Sequence, residues 1–168
     1  MRNILLLSLW LFGTSCKSPA QQIENTEFSL VLKALLSHSV KEVGVRDVEP
    51  SDSVLFLDAR AINEYNVSHI KNAVFVGYDH FDAASLNGID KNKKLIVYCS
   101  VGYRSEKISE KLEKLGYTNI YNLYGGIFEW KNVGKKVYDN KGQVTEKVHA
   151  YDNVWGRWLQ NGEKCFDK

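Results

Sequence analysis

The run Leu95-Ile96-Val97-Tyr98 is apolar throughout and lacks helical spacing, so it reads as a strand buried on both faces. Directly behind it the pattern changes. Ile108, Leu112 and Leu115 recur at i, i+4 and i+7, one face of a helix expected over 106–115 with Gly116 as its stop. The same switch repeats along the chain. Strands are expected over 54–57, 73–76 and 120–123, with an extended piece over 43–48 and a Pro50-Ser51-Asp52 turn. Helices are expected over 28–36, where Phe28, Leu32 and Leu35 share a face, and over 62–65. Apolar strands alternating with helices imply an α/β fold, a mainly parallel sheet with helices on both faces.

The segment between strand and helix is Cys99-Ser100-Val101-Gly102-Tyr103-Arg104-Ser105. It puts a lone cysteine at the carboxyl end of a strand, where open α/β sheets bind ligands. Main-chain N–H groups in a tight loop and at a helix start favour anions. A thiol held there, beside the cation of Arg104, should ionise readily, and the thiolate is the nucleophile. Gly102 lets the backbone curl so that several N–H groups converge on the sulfur. Ser105 is the expected helix cap, and Glu106 suits the first turn. The plainer alternative is a buried structural cysteine, since free cysteine is among the most buried residue types.

Three separated segments make the chain resemble the rhodanese (sulfurtransferase) family. The first is Leu57-Asp58-Ala59-Arg60, followed by Glu64-Tyr65 and His69-Ile70-Lys71-Asn72-Ala73. The second is the cysteine loop, with four residues between Cys99 and Arg104. The third is Leu123-Tyr124-Gly125-Gly126-Ile127 with Trp130. The resemblance spans roughly residues 40–135 and implies a five-stranded rhodanese-like sheet. It also implies a reaction. Cys99 accepts a sulfane sulfur from a small-molecule donor such as thiosulfate and holds it as a persulfide. A thiol or cyanide acceptor then removes it, in two covalent half-reactions. Ser100, Val101, Gly102, Tyr103, Arg104 and Ser105 would form the persulfide-binding loop, with Arg104 attracting an anionic donor. Thiosulfate-using relatives often carry a basic residue after the cysteine; here it is Ser100. Ser68 and Asn72 stand where the family usually has glycines. Two other readings stay open. One is a persulfide carrier or thiol-sensing module without turnover. The other, less favoured, is a phosphatase, whose related loops have five residues between cysteine and arginine.

Asp58 and Arg60 follow the apolar run Val54-Leu55-Phe56-Leu57, and are read as supporting residues in a hydrogen-bonded network. His69 is read as structural, and His38, His80 and His149 lack metal-ligand spacing with a cysteine. Cys16, Cys99 and Cys165 form no Cys-x-x-Cys pair, so neither zinc nor a thioredoxin-type motif is expected. No cofactor is expected either. Gly125-Gly126 lacks the lysine and hydroxyl residue of a P-loop, and no dinucleotide fingerprint occurs. A formal net charge of +2 argues against a nucleic-acid partner.

Residues 1–15 read as a secretion signal: Arg2 supplies the positive start and an apolar stretch over 4–12 follows. That stretch is well short of the about 20 residues a spanning helix needs. Gly13-Thr14-Ser15-Cys16 is similar to a bacterial lipoprotein cleavage box, which would make Cys16 a lipidated residue. The polar stretch 16–26 would then be a tether and 27–135 the rhodanese-like domain. The implied place is the bacterial cell envelope, on its periplasmic or surface side, with the membrane as a partner through the lipid anchor. Such a compartment is often oxidising, and a thiol-reducing partner protein is a further candidate. Residues 136–168 lie beyond the family's usual end and are read as an appendage on the same domain, able to shape one wall of the site. Two short extended pieces around Val137 and Val144, and a short helix over 151–159, are expected there. Trp155 and Trp158 with Tyr151 are read as a packing cluster.

Overall fold

The computed structural model describes residues 22–167. The signal and the Cys16 lipidation box lie outside the described residues. Within them, a five-stranded sheet runs in the order β1-β5-β4-β2-β3. Its strands are β1 (Glu42–Gly44), β2 (Val54–Asp58), β3 (Val74–Phe75), β4 (Lys94–Tyr98) and β5 (Ile120–Tyr124), and every pairing is parallel. β4 sits at the centre, its Val97 and Tyr98 opposite Leu57 and Asp58 of β2.

Alternation along β4 explains why its sequence is apolar at every position. Successive side chains point to opposite faces of a strand. Ile96 and Tyr98 enter one buried cluster with Phe56, Phe28, Leu32, Ile127 and Trp130. Leu95 and Val97 enter the other, with Leu57, Ile108 and Leu112. Helices α1 (Thr26–Leu35) and α4 (Gly126–Asn132) thus cover one face and α3 (Tyr103–Lys114) covers the other. The short α2 (Ile62–Val67) follows β2 directly. The Asn25 side chain caps α1 by accepting the Phe28 N–H, so the last residues of the polar stretch 16–26 already belong to the folded body.

Two local expectations are corrected. α3 begins at Tyr103, three residues before the predicted start, and Ser105 is not its cap. Gly102 holds the cap position at φ 124°, a backbone state that an L side chain rarely adopts. No helix spans 151–159; only a 3-10 turn at Gly156–Trp158 forms. Tyr151 is left-handed at φ 66°, and the Asp152 carboxylate accepts the N–H groups of Val154 and Trp155 at 2.8 and 2.7 Å. That local bonding competes with a helix and turns the chain instead. Asn72, where the family usually has glycine, is also left-handed at φ 59°, a state asparagine tolerates better than most residues.

Beyond α4 the chain forms an antiparallel pair, β6 (Val137–Tyr138) with β7 (Val144–Thr145), and a parallel pair, β8 (Lys147–His149) with β9 (Glu163–Cys165). This extension is sewn onto the body. Trp158 stacks on Phe28 with centroids 5.3 Å apart, Asn132 Nδ2 donates to the Trp158 carbonyl, and Asn63 Nδ2 donates to the Asp167 carboxylate. Among the described residues no helix is long and apolar enough to cross a membrane.

Candidate active site

The loop after β4 is held from behind by α4. The N–H groups of Ile127 and Phe128 donate to the carbonyls of Cys99 and Ser100 at 2.9 and 3.1 Å. This approach needs Gly126, at φ 58°. A Cβ there would stand 2.4 Å from the Cys99 oxygen and 2.6 Å from that of Ser100. Gly125, at φ 83°, is crowded too, since its Cβ would lie 2.6 Å from that of Glu129. The glycine pair is therefore the seat of the cysteine loop. At the loop's far end, the Gly102 carbonyl accepts from Asn122 Nδ2 at 3.0 Å, and Ser105 Oγ lies 2.7 Å from Asn122 Oδ1. Asn122 is fully buried on β5 and pins the start of α3 to the sheet.

Between these anchors, Cys99 is 1% exposed and its Sγ accepts the Gly102 N–H at 3.1 Å. Among the described residues this is the only N–H within hydrogen-bond reach of the sulfur, where several were expected. The free main-chain donors nearest in sequence are those of Tyr103, Arg104 and Ser105, whose first-turn positions leave them without a partner inside α3. Cys99 lies at the base of a pocket of about 270 Å³ whose walls include Leu35, Val101, Tyr103, Arg104 and Trp155. Cys99 and Cys165 are both free thiols, and burial pushes the Cys165 thiol up.

Arg104 does not extend a bare charge towards the thiol. Its Nη1 and Nη2 donate to Glu64 at 2.6 and 2.8 Å, and Nη2 also reaches Ser100 Oγ at 3.0 Å. Ser100 Oγ in turn donates to Glu64 Oε1 at 3.1 Å. Glu64 is nearly fully buried, and its Oε2 further accepts the Ala61 N–H at 2.9 Å. Burial alone would raise the Glu64 carboxyl. The hydrogen bond and charge of Arg104, aided by Arg60 and the Ala61 N–H, outweigh it and hold the group below its usual 4.5. The Arg104 guanidinium is correspondingly held in its charged form against its own desolvation.

The extension supplies part of the pocket wall through Tyr151 and Trp155. The Arg104 guanidinium faces the Tyr151 ring, 5.0 Å from its centroid. Tyr151 donates its N–H to His149 Nδ1 at 3.1 Å, which leaves the proton on Nε2 to donate to Asp167 at 3.1 Å. Tyr151, Tyr103 and Arg104 also border a second, more polar recess that His149 and Asp167 line. Tyr151 and Trp155 thus face the pocket, while Trp158 alone of the cluster is core.

Asp58 and Arg60 lie beneath the loops, not in the pocket. Both are fully buried, joined by Arg60 Nε to Asp58 Oδ1 at 3.0 Å and Nη2 to Oδ2 at 2.7 Å, and Arg60 Nη2 also donates to the Ser68 carbonyl at 2.6 Å. His69 stacks on Tyr65 with centroids 4.2 Å apart, a structural placement. Among the described residues no group of three His, Cys, Asp or Glu side chains could hold a metal ion. Reading the residues in order missed the role of Glu64 and the inward face of Tyr151. Glu64 carried a signal, as an acidic residue in the turn after the strand that flanks β4. Tyr151 carried none.

A parallel α/β sheet that presents a cysteine loop at the carboxyl edge of its central strand places that loop where open α/β sheets bind ligands. Residues 45–133 match the family described as Rhodanese-like domain, and the chain belongs to that family. It is 38% identical over 107 residues to a tRNA uridine(34) hydroxylase from Hamiltonella defensa, a match covering 61% of this chain and 29% of the relative. It is 33% identical over 108 residues to the protein of the same name from Yersinia pestis, covering 61% of this chain and 30% of that one. The chain therefore spans under a third of the length of these curated relatives. A rhodanese-like domain protein from Staphylococcus aureus superimposes with a TM-score of 0.52 at 27% identity, over 60% of this chain and 99% of that one. A Bacillus halodurans protein has the same fold, with a TM-score of 0.55 at 22% identity over 70% and 88% of the two chains.

Proposed function

We propose that the protein is a sulfurtransferase that carries sulfane sulfur on Cys99. The observation that carries this reading is the cysteine itself, set at the carboxyl edge of β4 in a pocket, with the Gly102 N–H on its sulfur. The Cys99 thiolate attacks the outer sulfur of a donor such as thiosulfate. A new S–S bond forms, the donor's own S–S bond breaks, and its electron pair leaves on sulfite. The bound persulfide anion faces the Gly102 amide and the free end of α3. An acceptor thiolate or cyanide then attacks the outer sulfur, and the Cys99 thiolate is released unchanged. The test is intact mass spectrometry after incubation with thiosulfate or polysulfide. A gain of one sulfur atom that cyanide removes, absent from Cys99→Ala, is the expected result; no gain in the native protein would overturn it.

A second reading comes from the relatives' name: a module serving hydroxylation of a tRNA uridine. Its support is the 107-residue likeness to a protein of that name. Measuring hydroxyuridine in tRNA from cells lacking the protein separates the two readings.

We also propose that the protein is lipid-anchored through Cys16 in the bacterial cell envelope, on its periplasmic or surface side. The support is the Gly13-Thr14-Ser15-Cys16 box behind an apolar stretch. Labelling with a fatty-acid probe that fails in Cys16→Ala is the expected result. An anchored, exported chain would have no access to tRNA, so the same experiment weighs on the hydroxylase reading.

A further inference from the structure

We propose that Tyr151 and Trp155 make this site select a small organic persulfide with an apolar body as its sulfur donor, in preference to an inorganic anion. The inference rests on the sulfur-transfer reading above and names its substrate class.

Charge comes first. The one cation in the pocket wall, Arg104, is already engaged by both oxygens of Glu64, and the residue after the cysteine is the neutral Ser100. A dianion entering here meets no unpaired positive side chain, and leaving water without one is costly. The walls favour something else, since Leu35, Val101, Tyr103, Tyr151 and Trp155 present mostly carbon. The space, about 270 Å³, is several times the roughly 30 Å³ that one water occupies in the liquid. It fits an aromatic or branched aliphatic group better than a compact ion.

The aromatic wall is built, not incidental. Tyr151 is held at φ 66° by its N–H bond to His149, which Asp167 orients from behind, and its ring meets the Arg104 guanidinium. Non-glycine residues in this region mark positions that their surroundings over-determine. Both Tyr151 and Trp155 lie outside the residues that match the rhodanese-like family. The specificity is therefore this chain's own addition to a shared loop.

The step balances. The Cys99 thiolate attacks the outer sulfur of R–S–SH, a Cys99 S–S bond forms, and the donor's own S–S bond breaks. The electron pair leaves on R–S⁻, and the proton stays on the transferred sulfur. No external oxidant or reductant is needed. R lies against Tyr151 and Trp155 during the attack.

The test compares sulfur loading of Cys99 from benzyl persulfide and methyl persulfide at equal, subsaturating concentrations. Each rate is divided by that of free cysteine with the same donor, which removes leaving-group chemistry. The expected benzyl-to-methyl ratio is about tenfold or more, as for other apolar pockets that discriminate by hydrocarbon size. It should fall towards one in Tyr151→Asn, where asparagine tolerates the left-handed backbone, and separately in Trp155→Ala. A ratio near one in the native protein, or one that neither variant changes, overturns the inference while leaving sulfur transfer standing. Failure of both donors to load Cys99 overturns the sulfur-transfer reading itself.

Discussion

Glu64 accepts both arms of the Arg104 guanidinium, so the cation that lines the Cys99 pocket reaches it already neutralised. Glu64 sits on α2 and Arg104 on α3, and the two helices start beside the carboxyl ends of the neighbouring strands β2 and β4. The pair therefore staples the two loops that frame Cys99. Two consequences of this arrangement, and three of its surroundings, are open to measurement.

Glu64→Gln removes one partner of a largely buried pair. Arg104 keeps some water contact, so the expected loss is about 2–3 kcal/mol, below that of a fully buried pair. Urea unfolding measures it. The same variant frees the Arg104 charge, so KM for thiosulfate should fall while stability falls. A rise in that KM would contradict the neutralisation described here.

The folded-state value of Glu64 lies below its ordinary 4.5, so its contribution to stability is fully present above that pH. It is lost as pH drops through the folded value, because protonation then favours the unfolded chain. Urea midpoints followed from about pH 7 to about pH 3 should decline less steeply in Glu64→Gln than in the native protein.

Gly126→Ala drives a methyl into the carbonyls of Cys99 and Ser100 at a left-handed backbone position. A loss of about 2–4 kcal/mol, with slower sulfur loading, is expected from combined overpacking and backbone strain. Gly134→Ala is the control: it shares the left-handed φ but meets no atom within 4 Å. It should cost only about 1 kcal/mol and leave loading intact.

Asp58→Asn strands the guanidinium of Arg60 in a site without solvent. Destabilisation of about 3–5 kcal/mol is expected, since a buried charge loses its partner. The sulfur-loaded fraction of the protein that remains folded should match that of the native chain.

Cys165→Ser should retain sulfur loading in full, since β9 holds that thiol in the extension and away from the Cys99 pocket. A mass gain that followed Cys165 in place of Cys99 would relocate the chemistry.

Patterning along the chain was enough for the five strands of the parallel sheet, for α1 to α3 and for the cysteine loop, because these depend on near neighbours; it gave neither α4 nor β8 and β9. Unbroken apolar runs mark β2 and β4, and Ile108 with Leu112 marks the buried face of α3. The start of α3 was misplaced because Gly102 and its left-handed turn replace a side-chain cap, which no spacing rule reveals. The placement of Cys99 in a loop at the end of β4 was legible from the apolar run that precedes it. The identity of its neighbours was not. Glu64 stands forty positions from Arg104 in the chain, and Tyr151 comes from a segment with no pattern of its own. Charge neutralisation at Arg104 and the aromatic wall over Cys99 arise only when separate strands and the extension fold against one another. Local rules constrain the backbone one turn at a time, whereas the electrostatics and shape of a pocket are sums over residues that only folding brings within a few ångströms.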